Sequence, residues 1–369
     1  MRKLPRSPVR VVIVGTSPVA FGVCGLLLNA GYEPAFVMPV LLPTANANVR
    51  TNEQKMGRIS QQGWPKDVIC YSSLQDAFEA LGVADWIFDA SWFSLEDKQA
   101  LFRYIDVARK PHCLVTTDES VATCEQLTEG FSQRLLRNFA ITHFFLPPER
   151  LPLVEIVFGK LVSEDSKKFL TSICANNLGR HVLLAPDSPG FVANRIGMYW
   201  VSMAAIEAVR LNIDIQAADV AMREELGMPR SGVFGLIDLI GLDVFSRIVQ
   251  SMQGDLELED DIQNYQIQKS PFFMALVADK KLGSAGFYEY NEQGRATTFR
   301  DLLTGEYHLL TVTPTQEQKQ DEELLSSVID YKKIVRTNLA SYINKFSQMS
   351  GLDTKQIHDA MQKGYGWKL

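Results

Sequence analysis

The sequence predicts an α/β fold: a doubly wound, mostly parallel sheet over residues 1–186, followed by an all-α region. Three observations carry this expectation. Short β-branched runs end in glycine or polar turns, helical stretches separate them, and beyond residue 187 the alternation gives way to apolar positions at helical spacing.

Taken in order, VRVVIVG (9–15) reads as a buried parallel strand stopped by Gly15, and AFGVCGLLLNAG (20–31) as a helix closed by Gly31. EPAFVM (33–38) is a second strand. SSLQDAFEALG (72–82) and LEDKQALFRYIDVA (95–108) are helices on either side of the strand DWIFDAS (85–91). CLVTTD (113–118), NFAITHFF (138–145) and LPLVEIVFG (151–159) complete the strands. Alternating strands and helices imply right-handed crossovers. Pro186, Asp187, Ser188, Pro189 and Gly190 form a linker, and the apolar spacing after Asn194 is helical. The expected division is 1–186, 187–300 and 301–369, the last holding a linker and a partial repeat. In that repeat, DIQAADVAMREELGMPR (214–230) and DTKQIHDAMQKGYGWKL (353–369) share Asp, Ala-Met and Gly at an offset of 139 residues. The polar stretch TVTPTQEQKQDEELLSS between the copies reads as a solvated linker.

With 46% hydrophobic and 22% charged residues the 369-residue chain has an ordinary globular composition, long enough for more than one domain. A net charge of -6 gives no electrostatic reason to expect a nucleic-acid partner. Five scattered cysteines without CxxC spacing argue against a disulfide framework and a zinc site, and fit a reducing cytoplasm. The N-terminus imitates a signal peptide, but Gly15, Thr16, Ser17 and Pro18 interrupt the apolar run. No stretch reaches the ~20 apolar residues of a membrane span, so no membrane insertion is expected. His112, His181, His308 and His358 show no ligand spacing, and the acidic run DLELEDD (255–261) reads as a solvated face, so no metal is expected.

A strand, a tight turn and a helix form a Rossmann-like dinucleotide cradle, in which helix N-terminal amides hold a pyrophosphate. Here the turn comprises Gly15, Thr16, Ser17, Pro18, Val19 and Ala20, with Ser17 at the second glycine of GxGxxG and Ala20 at the third. Met38 falls where an acidic residue should accept the adenosine ribose hydroxyls, so weak NAD affinity is expected. NADP would call for an arginine just after the second strand, and the nearest, Arg50, lies too far along to serve.

ADWIFDASWFSLEDKQALF, HFFLPPERLPLVEIV, DSPGFVANRIG, MPRSGVFGLIDLIGLDV and KKLGSAGFYEY, in that order, resemble the L-3-hydroxyacyl-CoA dehydrogenase family of fatty acid β-oxidation. The final repeat resembles the start of the duplicated helical domain in the family's multifunctional members, so a fragment or divergent member of such a protein is one reading. The resemblance implies a Rossmann-like NAD-binding domain, a helical substrate and dimerisation domain of the family's C-terminal type, an acyl-CoA substrate and a homodimer. Residue by residue, it implies His143 as catalytic base, Glu155 as its partner and Asn194 as a substrate-holding group. The family's serine near the nicotinamide matches Glu119 directly, with Ser120 the nearest hydroxyl. Lys98 matches a cofactor-contacting lysine. Phe93 and Leu146 replace a cofactor-contacting glutamate and an asparagine.

The chemistry needs such a pair. Oxidising a secondary alcohol requires a base for the hydroxyl proton while hydride leaves carbon, and neutral imidazole suits that near neutral pH. A carboxylate behind the ring fixes its tautomer and stabilises the imidazolium. LPPERLP is proline-rich enough to turn the chain back and bring residues 143 and 155 together. Two functions follow: an NAD-dependent oxidoreductase interconverting L-3-hydroxyacyl-CoA and 3-oxoacyl-CoA, or a divergent member that has lost normal NAD binding and serves as an acyl-CoA-binding or structural protein. Ser17, Met38, Phe93 and Leu146 are the departures that keep the second open.

Overall fold

The computed structural model describes residues 9–38, 68–227, 231–281, 286–310 and 322–368. The chain divides into two compact units, Met1–Phe191 and Val192–Leu369.

The described residues of the first unit form an eight-stranded sheet. Its strands are β1 (Val11–Val14), β2 (Ala35–Val37), β3 (Cys70–Tyr71), β4 (Trp86–Asp89), β5 (Leu114–Thr117), β6 (Phe139–Phe144), β7 (Leu153–Phe158) and β8 (His181–Ala185). They run in the order β3-β2-β1-β4-β5-β6-β7-β8. All neighbours are parallel except β6 and β7. The order reverses between β1 and β4, which makes the carboxyl ends of these strands the topological switch point.

Period-2 alternation explains why both faces are covered. Val11 and Ile13 pack with α1 (Pro18–Asn29) through Val19, Val23 and Leu27, whereas Val12 and Val14 face the opposite cluster. That cluster holds Leu81 of α2 (Phe78–Val83) and Leu101, Phe102 and Ile105 of α3 (Leu95–Ala108). Each such side chain stabilises by about 1.5–3 kcal/mol on full burial. Short helices α4 (Cys124–Leu127) and α5 (Gln133–Leu136) precede β6, and α6 (Glu164–Ser172) precedes β8. Gly15 ends β1 at φ +114°, and a Cβ there would lie 2.5 Å from the Ala90 carbonyl carbon. Only glycine permits β1 to approach the end of β4 so closely.

The second unit contains α7 (Ala193–Arg210), α8 (Ile215–Leu226), α9 (Phe234–Ile240), α10 (Leu242–Asp255), α11 (Pro271–Lys281), α12 (Glu322–Ser350) and α13 (Thr354–Tyr365). The short repeat proves to be part of a longer one. Asp214 and Asp353 cap α8 and α13, Gly227 and Gly366 close them in the left-handed region, and Asn212 and Gly351 share positive φ at the preceding turn. The correspondence therefore runs back into α7 and α12, which pack on each other with Tyr199 and Tyr342 stacked at 3.8 Å. α8 packs on α12 and α13 on α7, a reciprocal arrangement of the two copies.

Three expectations need correction or restriction. The region 187–300 is not purely helical: it holds β9 (Tyr288–Tyr290) and β10 (Ala296–Arg300), which form a small antiparallel sheet with β11 (Tyr307–Leu309) beyond it. Its β-branched and aromatic residues suit a pleated surface, and Asp238 anchors its start by accepting the amides of Phe287 and Tyr288. The acidic run 255–261 is not wholly a solvated face, because Asp260 is 4% exposed and binds Arg195 and Tyr342. Of the expected linker, residues 311–321 lie outside the described residues, as do Arg50, Met228–Arg230 and Leu282–Ala285, while α12 begins at Glu322.

Candidate active site

The turn-back from β6 to β7 sets His143 directly opposite Glu155 in the antiparallel register. Side chains of such a pair share one face. Nδ1 of His143 lies 2.7 Å from Glu155 Oε2, with Glu155 fully buried and His143 7% exposed. Rings of Phe145 and Phe191 sit 4.5 and 5.9 Å from the imidazole. Burial by itself depresses the imidazole pKa. The hydrogen bond and charge of Glu155, and then the charges of Asp118 and Glu119, outweigh burial and hold it above its ordinary value of 6.5.

A second polar cluster lies at the carboxyl ends of β4 and β5. Lys98, 3% exposed, donates from Nζ to Thr117 Oγ1 (2.8 Å), the Asp118 carbonyl (3.0 Å) and Asp89 Oδ2 (3.2 Å), and lies 3.7 Å from Glu119. Asp118 accepts the Phe144 amide at 3.1 Å, which ties β5 to the residue following His143. Burial pushes the Asp118 carboxyl up to about 6, against the opposing pull of His143, the Phe144 amide and Lys98. Sequence reasoning missed Asp89 and Asp118. The available signal was an acidic residue closing each of two successive parallel strands.

The remaining expected residues fall in three places. Lys98 points into the interior cluster. Ser120 follows β5, in a loop held by Glu119, whose carboxylate accepts the amides of Ser120 (2.9 Å) and Val121 (3.2 Å). Gly15, Thr16, Ser17, Val19 and Ala20 form the turn into α1, with Val19 and Ala20 packed against the sheet. Ser17 caps the helix by accepting the Ala20 amide at 3.2 Å, so its side chain folds back on its own helix. Ser91, whose backbone abuts Gly15, has a buried Oγ without a hydrogen-bond partner among the described residues. Met38 is 38% exposed just past β2.

Asn194 belongs to the second unit. It is the second residue of α7, behind Val192 at the cap position, so it is not the helix cap. Its Oδ1 accepts a 2.6 Å hydrogen bond from the Tyr365 hydroxyl. Among the described residues no cluster of His, Cys, Asp and Glu could hold a metal ion, and no helix is long and apolar enough to cross a membrane.

Residues 11–188 match the family described as 3-hydroxyacyl-CoA dehydrogenase, NAD binding domain, and residues 190–290 match its C-terminal domain. A probable 3-hydroxyacyl-CoA dehydrogenase of Bacillus subtilis is 26% identical over 401 residues, covering 98% of this chain and 50% of that protein. The mitochondrial hydroxyacyl-coenzyme A dehydrogenase of Mus musculus is 32% identical over 232 residues, 61% of this chain and 70% of that one. The chain thus spans about half the length of the first of these relatives. The crystal structure of (S)-3-hydroxybutyryl-CoA dehydrogenase from Ralstonia eutropha superposes with a TM-score of 0.62 at 20% identity, over 78% of this chain and all of that one, a likeness of fold.

Proposed function

The chain belongs to the 3-hydroxyacyl-CoA dehydrogenase family, and from that premise we propose that it interconverts L-3-hydroxyacyl-CoA and 3-oxoacyl-CoA with NAD, in fatty acid β-oxidation or related acyl-CoA metabolism. The buried His143–Glu155 pair, 2.7 Å apart, is the observation that carries the proposal. With Nδ1 committed to Glu155, Nε2 is the nitrogen that takes the hydroxyl proton. Glu155 fixes the tautomer and stabilises the imidazolium that forms. In the reverse direction His143 returns the proton to the oxygen of the 3-oxo group. Asn194 holds the substrate, and Ser120 supplies a hydroxyl beside the reacting group.

The chemistry supplied by bound NAD is acceptance of the hydride. The Gly15 turn and the N-terminus of α1 suit its pyrophosphate, and the buried, unpartnered Ser91 Oγ beside that turn suits a polar ligand. Thr16, Ser17, Val19 and Ala20 shape the same turn. Met38 cannot accept ribose hydroxyls, so the adenosine end is held weakly. The burial of Lys98 supports a role behind the cofactor site, holding Asp89 and the 117–119 loop in place.

The non-catalytic alternative is not favoured, because the base and its carboxylate remain paired in a buried setting. Five free cysteines fit a cytoplasmic location. A homodimer through the helical unit is the family expectation. Light scattering on the purified protein tests it. Titration of NADH fluorescence with and without acetoacetyl-CoA tests the function: binding that tightens with the ester supports it, and no binding up to millimolar cofactor overturns its NAD form.

A further inference from the structure

We propose that Tyr365, contributed by the C-terminal copy of the helix pair, is a positioning residue that orients the Asn194 amide for substrate. The inference rests on the substrate-holding role proposed above for Asn194. An asparagine side chain can present either its carbonyl or its NH2 by a half-turn about its last bond. In the structure the Tyr365 hydroxyl donates to Asn194 Oδ1 at 2.6 Å, so the carbonyl end of the amide is turned toward the phenol. The amide NH2 is thereby fixed as the opposite end, the donor that a substrate carbonyl requires.

The contact is built into one stripe of α7. Asn194, Gly197 and Trp200 follow each other at intervals of three and face the chain end from Tyr365 to Lys368. A Cβ at Gly197 would come 3.2 Å from both Cζ and the hydroxyl oxygen of Tyr365, so the missing side chain makes room for the phenol. Trp367 packs edge-on to Trp200 at 5.0 Å, and the Lys368 amide donates to the Leu226 carbonyl at 2.8 Å. Gly366, in the left-handed conformation, lets the chain leave α13 in that direction.

The repeat offers an internal control. At the offset of 139 residues, Tyr365 corresponds to Leu226, Asn194 to Lys333 and Gly197 to Arg336. The reciprocal packing of α8 on α12 carries ion pairs beside its apolar contacts, Lys332 with Glu224 and Arg336 with Glu225. Docking one copy on the other therefore does not itself require a tyrosine against an asparagine. That pair occurs in the copy carrying Asn194, which assigns it to substrate rather than to packing.

The test uses the full chain with NADH and acetoacetyl-CoA, comparing wild type with Tyr365→Phe, Gly197→Ala, Asn194→Ala and the Asn194→Ala/Tyr365→Phe double variant. Tyr365→Phe is expected to lose about tenfold in kcat/KM for the ester, the worth of one well-made hydrogen bond, with NADH affinity unchanged. The double variant is expected to be no worse than Asn194→Ala alone. Gly197→Ala, whose Cβ would come 3.2 Å from the phenol, is expected to lose kcat/KM by displacing it while NADH affinity stays unchanged. That split distinguishes positioning from structural support. Unchanged kcat/KM in Tyr365→Phe, or losses that multiply in the double variant, overturn the inference while leaving the dehydrogenase reading intact. A wild type that neither turns over nor binds acetoacetyl-CoA overturns both.

Discussion

Replacing Glu155 with Gln keeps the shape of the side chain and an acceptor for His143 Nδ1, and removes only the charge. Two unit charges 2.7 Å apart attract by about 6 kcal/mol at an effective dielectric constant of about 20. Taking both ions out of water costs several kcal/mol each. The net loss is then that of a hydrogen bond to a charged group, about 1.5–3 kcal/mol, or about 10- to 150-fold in kcat. The pH dependence carries a sign as well. As the proposed base, His143 would act only when neutral, and its pKa is held above the ordinary 6.5 because Glu155, Asp118 and Glu119 together overcome burial. Without the Glu155 charge burial prevails, so the acid limb of the oxidation profile moves to lower pH. In the reductive direction, where His143 must be protonated, the fall in rate at high pH moves down with it. The linked stability follows the same sign. A raised folded pKa contributes stabilisation that is complete below the unfolded value and lost as pH rises through the folded one, and Glu155→Gln removes that window. The assay is steady-state kcat against pH in both directions, beside denaturant unfolding. A variant within about threefold of wild type in kcat, with the acid limb unmoved, would refute the assignment of Glu155.

Two other changes probe the cofactor end and the surroundings of the pair. Met38→Asp supplies the missing ribose acceptor and is expected to lower the NADH dissociation constant by about tenfold or more in a fluorescence titration; an unchanged constant would show that the adenosine end is held elsewhere. Asp118, whose carboxyl burial raises to about 6 from an ordinary 3.8, gives stabilisation that is complete below the unfolded pKa and is lost as pH rises toward 6. Asp118→Asn should therefore gain on wild type in unfolding free energy as pH rises through that interval, and a difference independent of pH would contradict the burial argument.

What could be read in advance follows from how local each interaction is. β1, β4, β5, β6 and β7 are buried along nearly their whole length, so unbroken apolar runs betray them. β3 has two residues and β8 is half-exposed at His181 and Val182, and neither leaves such a trace. His143 and Glu155 were legible because one proline-rich turn separates them. Lys98 was named only through the family resemblance, and its burial was not legible, since a lysine in an amphipathic helix looks solvent-facing until Asp89 and Glu119 are known to lie beneath it. Asp260 hid in an acidic run because its partner Arg195 is 65 residues away. Tyr365 and Asn194, 171 residues apart, meet only through the reciprocal docking of two helix pairs. A short sequence match announces that docking without giving its geometry.

The most direct test of the central claim, that the His143 imidazole is the proton acceptor of a nicotinamide-linked dehydrogenase, is NADH consumption with acetoacetyl-CoA by the purified chain and two alanine variants. Turnover is expected to fall by about 10²–10⁴-fold in His143→Ala and to be retained in His308→Ala, whose imidazole lies on β11 of the small sheet. Turnover that survives the loss of His143 would contradict it, as would a wild-type protein inert toward both NADH and the ester.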